Sequence, residues 1–175
     1  MDVLEAVRTR RSLREFSDQD IPAEKLQELM EALIWTPTGS NAQETNYILV
    51  RAPEQITRIK KFAAGLFGWP KALVVIASDR KQALEKGGPL ALGRMGHINV
   101  GIAAAHVLLL AHGLGIGTCP CISFNQKAVQ YFLGLPDHIE PLLIINLGYR
   151  RGEVLPSLRR LPKEVMHFDR YGNPL

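Results

Sequence analysis

The spacing of apolar positions divides the chain into helical and extended stretches. Val3, Leu4 and Val7 recur at helical spacing behind Asp2, which predicts a short capped helix over Val3 to Arg8. Leu26, Leu29, Met30, Leu33 and Ile34 recur at steps of three and four, with Glu24, Lys25, Glu28 and Glu31 between them. Pro22 stands where the first helical turn should be, so a second amphipathic helix occupies this stretch. Asn46 to Val50 reads as a strand. Pro53 to Ala64 reads as a helix with Ile56, Ile59 and Phe62 on one face, and the continuous apolar run Ala72 to Ala77 as a buried central strand. A long helix follows from Arg94 to His112, apolar on nearly every side, which predicts burial on most faces or a subunit contact. Asn125 can cap a helix through Leu133, and Glu140 to Leu147 is a further buried strand.

Three stretches carry no such period. Residues 79–93 mix charges and then read GGPLALG, which predicts a mobile loop over a site. Residues 113–124, GLGIGTCPCISF, contain neither the G-x-G-x-x-G nor the G-x-x-x-x-G-K-[ST] phosphate loop. Their glycines are expected to end the long helix and let the backbone pass close to something flat. The tail from Gly148 is aperiodic, with three prolines, and is either disordered or lies on another surface.

Composition narrows the class. The 175 residues, 46% hydrophobic and 22% charged, suit one globular domain over 1–175. Cys119 and Cys121 form a C-x-C with no second pair, which excludes a disulfide scaffold and a zinc site and points to a reducing compartment, the cytoplasm. The N-terminus lacks the apolar core of a signal peptide. Ile98 to Ala111, the most apolar stretch, is shorter than the ~20 residues a bilayer requires and carries Asn99 and His106, so it reads as a buried helix and not a membrane span. His97, His106 and His112 share no i, i+4 pair and read as structural rather than metal-ligating.

The net charge of +4 is unevenly placed: Arg8, Arg10, Arg11 and Arg14 crowd near one end, Arg150, Arg151, Arg159, Arg160 and Lys163 near the other. In RRSLREF, residues 10–16, the arginine forks and the Ser12 hydroxyl match the oxygens of a phosphate. A solvated basic turn paired with Glu5, Glu15 or Asp18 explains the same residues. The loop TPTGSNAQ, residues 36–43, offers backbone and amide donors suited to a planar, acceptor-rich ligand, or is an ordinary helix-to-strand connection. Neither basic cluster carries interleaved aromatics and the total charge is small, which argues against a nucleic-acid binding module.

Taken together, RRSLREF, PTGSNAQ, and the run from NVGIAAAHVLLLAHGLGIGTC through LGLP at 133–136 to LGY at 147–149 resemble, in order and spacing, the flavin-dependent nitroreductase family. The resemblance implies an α+β homodimer: a mixed sheet flanked by helices, long helices at the interface and a C-terminal extension crossing to the partner subunit. FMN would sit at that interface. Arg10, Ser12 and Arg14, with Arg11 beside them, match the positions that hold the FMN phosphate and ribityl chain. Arg160, with Arg159 next to it, matches the tail arginine that completes the phosphate site. Pro37, Thr38, Gly39, Ser40, Asn41 and Gln43 match the loop lying along the flavin from the other subunit. Cys121, Ile122 and Ser123 match the segment over the ring, with the Ile122 backbone N–H aimed at flavin N5.

The activity implied is NADPH- or NADH-driven reduction of a nitroaromatic, quinone or similar small acceptor, by ping-pong hydride transfer through N5 and with no catalytic side chain. Two departures stand out. Glu44 and Thr45 replace the usual Pro-Trp, placing a carboxylate near the flavin loop, and Ile122-Ser123 replaces a glycine-rich pair. Lys71 is the one candidate for the polar side chain at the flavin's pyrimidine edge. These departures keep open a specialised flavin chemistry on the same scaffold, such as dehalogenation, dehydrogenation or flavin fragmentation.

Overall fold

In the computed structural model, which describes residues 1–154 and 157–174, the apolar run at 72–77 becomes the centre of a four-stranded sheet. Its strands are β1 (Thr45–Val50), β2 (Ala72–Asp79), β3 (Gly117–Cys121) and β4 (Ile139–Gly148), in the order β1-β2-β4-β3. Among the described residues six α-helices surround it: α1 (Val3–Thr9), α2 (Ala23–Ala32), α3 (Pro53–Lys60), α4 (Arg80–Gly87), α5 (Arg94–Gly113) and α6 (Gln126–Phe132). The α+β class is as expected, but the sheet is antiparallel rather than mixed. The helical connections through α3 and α6 return the chain to the end of the sheet it left, so β1 and β2, and β3 and β4, run in opposite senses. Among the described residues the parallel pairing is a single bridge, Ser12 to Thr118. Of the tail, Leu155, Pro156 and Leu175 lie outside the described residues; Pro162–Glu164 forms one short 3-10 turn.

Both faces of the sheet are covered, which is why β2 needs no polar alternation. Val74, Ile76, Ile145 and Leu147 pack with Leu26, Leu29 and Leu33 and with Val100, Ala103 and Val107 of α5. Leu73, Val75 and Ile144 face the other way, onto Ile56 and Ile59 of α3, Val129 of α6 and Cys121. Each such aliphatic side chain contributes about 1.5–3 kcal/mol by leaving water. The two caps expected from the sequence form: Asp2 accepts from Glu5 N–H at 2.8 Å, and Asn125 from Ala128 N–H at 2.9 Å.

Several expectations are corrected. Residues 79–93 are not an aperiodic loop: Asp79 caps α4 through Lys81 and Gln82 N–H, and Pro89–Leu92 adds a 3-10 turn. The glycine-rich stretch after α5 contains a strand, β3, at the sheet edge, where Pro120 is tolerated. α3 stops at Lys60, leaving Phe62 half exposed, and Ile34 lies beyond α2 and is 71% exposed. In α1 the stripe Val3, Leu4 and Val7 faces outward while Ala6 is buried. With 20 residues, and a mean hydropathy of 1.3 over an 18-residue window, α5 is long and apolar enough to cross a membrane by length and composition, although its most apolar stretch, Ile98 to Ala111, is too short. One of its faces nonetheless packs into the core through Asn99, Val100, Ala103, Ala104, Val107 and Ala111.

Candidate functional site

The segment after α1 is stitched to the far end of the chain by backbone hydrogen bonds. Leu13 N–H donates to Thr118 O at 2.7 Å on β3, Ser17 N–H to Tyr149 O at 2.8 Å, and Arg151 N–H to Glu15 O at 3.2 Å; Phe16 bridges Arg150. Close approach is required: a Cβ on Gly117 would lie 2.4 Å from Leu13 Cδ2, and one on Gly148 2.6 Å from Phe16 Cδ1. This seam brings Arg10, Arg11, Ser12 and Arg14 together with Arg151 and Arg159 around one cavity of about 430 Å³, with Glu15 and Glu153 also on its wall. None of these five arginines forms an ion pair with a side chain of the described residues, so the pairing with Glu5, Glu15 or Asp18 does not occur. Arg160 is placed differently from Arg159: its guanidinium lies 3.7 Å from Glu164 Oε2 and donates to Glu164 O.

The field of this cluster reaches its neighbours. His112, bonded to Thr9 Oγ1 at 2.8 Å, has its pKa lowered by burial and then by Arg10 and Arg11. Arg14 lies over the Phe67 ring at 5.7 Å. β3 leads from Thr118, beside Ser12, to Ile122, a strand path of about 13 Å. Ile122 is 76% exposed. Ser123 O accepts from Gly65 N–H at 3.1 Å, and a Cβ on Gly65 would sit 3.0 Å from Cys121 Sγ, so the residues after β3 rest on the 61–70 loop. Lys60 Nζ holds that loop by donating to Leu66 O and Gly68 O, both at 2.7 Å. Lys71 instead pairs with Asp20 at 3.4 Å. Cys119 and Cys121 are free and buried, and burial raises both pKa values, which makes them inert thiols.

Residues 36–43 form a second, separate feature. Ser40, Asn41 and Gln43 all adopt positive φ (55°, 49° and 52°), a conformation that costs non-glycine residues energy and that clusters at functional loops. The loop is held from inside: Gln43 N–H donates to Thr38 Oγ1 at 2.9 Å, Gln82 Nε2 to Ala42 O and Gln43 O at 2.8 and 2.9 Å, and Gly39 N–H to Asn99 Oδ1 at 3.0 Å. Pro37, Ser40, Asn41 and Gln43 remain exposed, and none of the loop lines the arginine cavity. Glu44, expected beside the loop as an available carboxylate, is fully buried and accepts from Asn99 Nδ2 at 2.7 Å. Arg151 was read from sequence only as a member of the second basic cluster, and Gln82 and Asn99 were not among the candidates; a lone amide within the apolar run of α5 was the available signal for Asn99. No group of histidine, cysteine or acidic residues suited to a metal occurs among the described residues.

The geometry defines an α+β protein with a basic cavity at the seam of its two chain ends and an exposed, strained polar loop elsewhere. The chain belongs to the nitroreductase family, whose profile matches residues 7–68 and 64–149. It is 28% identical over 156 residues to a Methanothermobacter thermautotrophicus protein provisionally named NADH dehydrogenase/NAD(P)H nitroreductase, covering 85% of this chain and 78% of that one. It is 27% identical to the FMN reductase [NAD(P)H] of Bacillus subtilis, over 98% of this chain and 75% of that one. The solved structure of an FMN-dependent nitroreductase from Clostridium difficile R20291 superposes with a TM-score of 0.81 at 21% identity, over 96% of this chain and 99% of that one. These relatives are named as enzymes.

Proposed function

We propose that the chain is a single FMN-binding domain that works as a homodimeric NAD(P)H oxidoreductase on small acceptors such as nitroaromatics or quinones. The observation that carries this reading is the convergence on one cavity of five guanidinium groups, from the two ends of the chain, that form no ion pair among the described residues. A phosphate dianion satisfies such a donor set with charge-assisted, forked hydrogen bonds. The donor chemistry therefore fits the phosphate end of FMN, and the length of β3 fits an elongated ligand whose ring reaches Ile122.

In this reading Arg10, Ser12, Arg14 and Arg159 hold the phosphate, with Arg11 and Arg151 adding field; Arg160, engaged by Glu164, stays outside. Cys121, Ile122 and Ser123 would hold the ring, with the Ile122 N–H as the candidate donor to N5. Pro37, Thr38, Gly39, Ser40, Asn41 and Gln43 reach the ring of the partner's site. Bound there, FMN supplies two-electron chemistry at its ring, with NAD(P)H as donor and the small acceptor served in turn. The protein's part is to orient the ring and to place positive charge and a backbone donor where the reduced form is anionic.

Support for the dimer is the apolar surface that one chain leaves uncovered. Ile98 is 53% exposed, Val3 77%, Ile34 71% and Trp35 81%, and an apolar groove of about 590 Å³ runs between α1, α2 and α5. In the tail Leu158 is 99% exposed and Tyr171 91%, apolar surface that a partner subunit would cover. Glu44, one of the departures that favoured a specialised flavin chemistry, is buried, while the other, Ile122-Ser123, stays at the surface.

The test is the visible spectrum of the purified protein, repeated anaerobically after NADPH and then NADH. A flavin spectrum that bleaches supports the reading. A colourless protein that takes up no FMN refutes it.

A further inference from the structure

The interior side of the 36–43 loop ends in an unusual buried chain of hydrogen bonds. Gly39 N–H donates to Asn99 Oδ1 at 3.0 Å, and the same amide donates through Nδ2 to Glu44 Oε1 at 2.7 Å. Asn99 is 1% exposed and Glu44 0%. Glu44 also fixes the start of β1 through its backbone, its carbonyl accepting from Asp79 N–H at 2.8 Å and from Asn46 Nδ2 at 3.1 Å. Its other carboxylate oxygen, Oε2, is buried with no partner among the described residues. Gly39 is seated so closely on α5 that a Cβ there would come within 2.4 Å of Met95 Sδ.

A carboxyl group buried with one oxygen unsatisfied is costly, and a leucine or methionine would fill the same space without that cost. Groups of this kind persist where they impose a conformation that packing alone would not choose. The conformation at stake is on the page: three non-glycine residues at positive φ, directly between Gly39 and Glu44. The segment 40–43 that contains them is gripped on both sides by one asparagine, with Gly39 just before it and Glu44 just after it.

We propose that Asn99 and Glu44 are positioning residues, a buried clamp by which α5 holds the 36–43 loop in its left-handed shape and so presents Ser40 and Asn41 to the flavin. The flavin part rests on the function proposed above; the clamp itself does not. Because α5 also carries the exposed apolar face assigned to the partner contact, the clamp ties the loop's shape to the helix that forms the dimer.

The experiment compares the full-length protein in four forms: wild type, E44Q, N99D and E44Q/N99D. E44Q keeps a carbonyl oxygen to accept from Asn99. N99D keeps an acceptor for Gly39 N–H but sets two carboxyl groups against each other. In the double variant the introduced amide donates to the introduced carboxylate, rebuilding the chain with its middle bond reversed. Two readouts are taken: hydrogen exchange of the 36–43 backbone amides without flavin, and the FMN dissociation constant by fluorescence titration. N99D is expected to accelerate exchange across 36–43 and to weaken FMN binding about tenfold. E44Q and the double variant are expected to stay within about threefold of wild type in both. Should N99D fail to fold, Asn99→Ala is read in its place, and recovery of folding in the double variant counts as rescue. Exchange in N99D equal to wild type, or a double variant no better than N99D, overturns the clamp. Faster exchange with unchanged FMN affinity overturns its role at the flavin. A wild type that binds no FMN while the exchange pattern holds overturns the proposed function and leaves the clamp standing.

Discussion

Arg14 and Arg159 are distant in sequence yet border one cavity, while Arg160, next to Arg159, is turned onto Glu164. That difference gives a clean comparison. Arg14→Ala and Arg159→Ala should each weaken FMN binding by about tenfold or more, the worth of a charge-assisted hydrogen bond, and Arg160→Ala by less than about threefold. Fluorescence titration of the apoprotein checks all three. His112 reports the same field without mutation. Burial and the charges of Arg10 and Arg11 depress its pKa in the folded chain. The unfolded chain therefore binds the His112 proton more tightly, so this group favours unfolding as pH falls through and below about 6.5, its ordinary value. The ring is half-buried, so solvent screens part of the effect on stability, and the titration itself is readable by NMR. Adding a phosphate dianion to the cavity should raise the His112 pKa. An unchanged value would place the anion elsewhere.

Between residue and molecule, the element that organises the site is β3, which joins the arginine seam at Thr118 to Ile122. The neighbouring 61–70 loop abuts the same seam: Gly68, at φ 63°, would place a Cβ 2.4 Å from Arg14 O. Gly68→Ala should cost about 1–3 kcal/mol, from backbone strain and overpacking, and should weaken FMN binding as Arg14 is displaced. Thermal unfolding and flavin titration of one variant separate the two effects. The elements legible in the sequence were those with an apolar period or run, α1, α2, α3, α5, α6, β1 and the apolar cores of β2 and β4, helped at α1 and α6 by the caps Asp2 and Asn125. β3 was not legible because GTCPC holds a glycine and a proline, and only its place at the edge makes Pro120 acceptable. α4 was missed because Ala83 is its one buried residue, leaving no apolar stripe to read. The site was legible as motifs, RRSLREF and PTGSNAQ, but its supports were not. Asn99 and Gln82 act on partners 60 and 40 residues away, and no local pattern encodes that.

Across the whole molecule, the uncovered side of α5 and the outward face of α1 leave a large apolar surface. Placing a charge there, as in Ile98→Lys, should convert a dimer to monomers in analytical ultracentrifugation. It should also lower FMN affinity if, as proposed, the 36–43 loop completes the partner's site. The arrangement of the chain as a flavoprotein rests finally on what fills the arginine cavity, and a pair of ligands differing by one phosphate decides it. FMN and riboflavin share the same ring and ribityl chain, so their dissociation constants from the apoprotein isolate the contribution of Arg10, Arg14 and Arg159. Riboflavin should bind at least about a hundredfold more weakly than FMN, the loss of two or more charge-assisted hydrogen bonds. Equal affinity for the two, or binding of neither, would contradict the assignment of that cavity to a flavin phosphate.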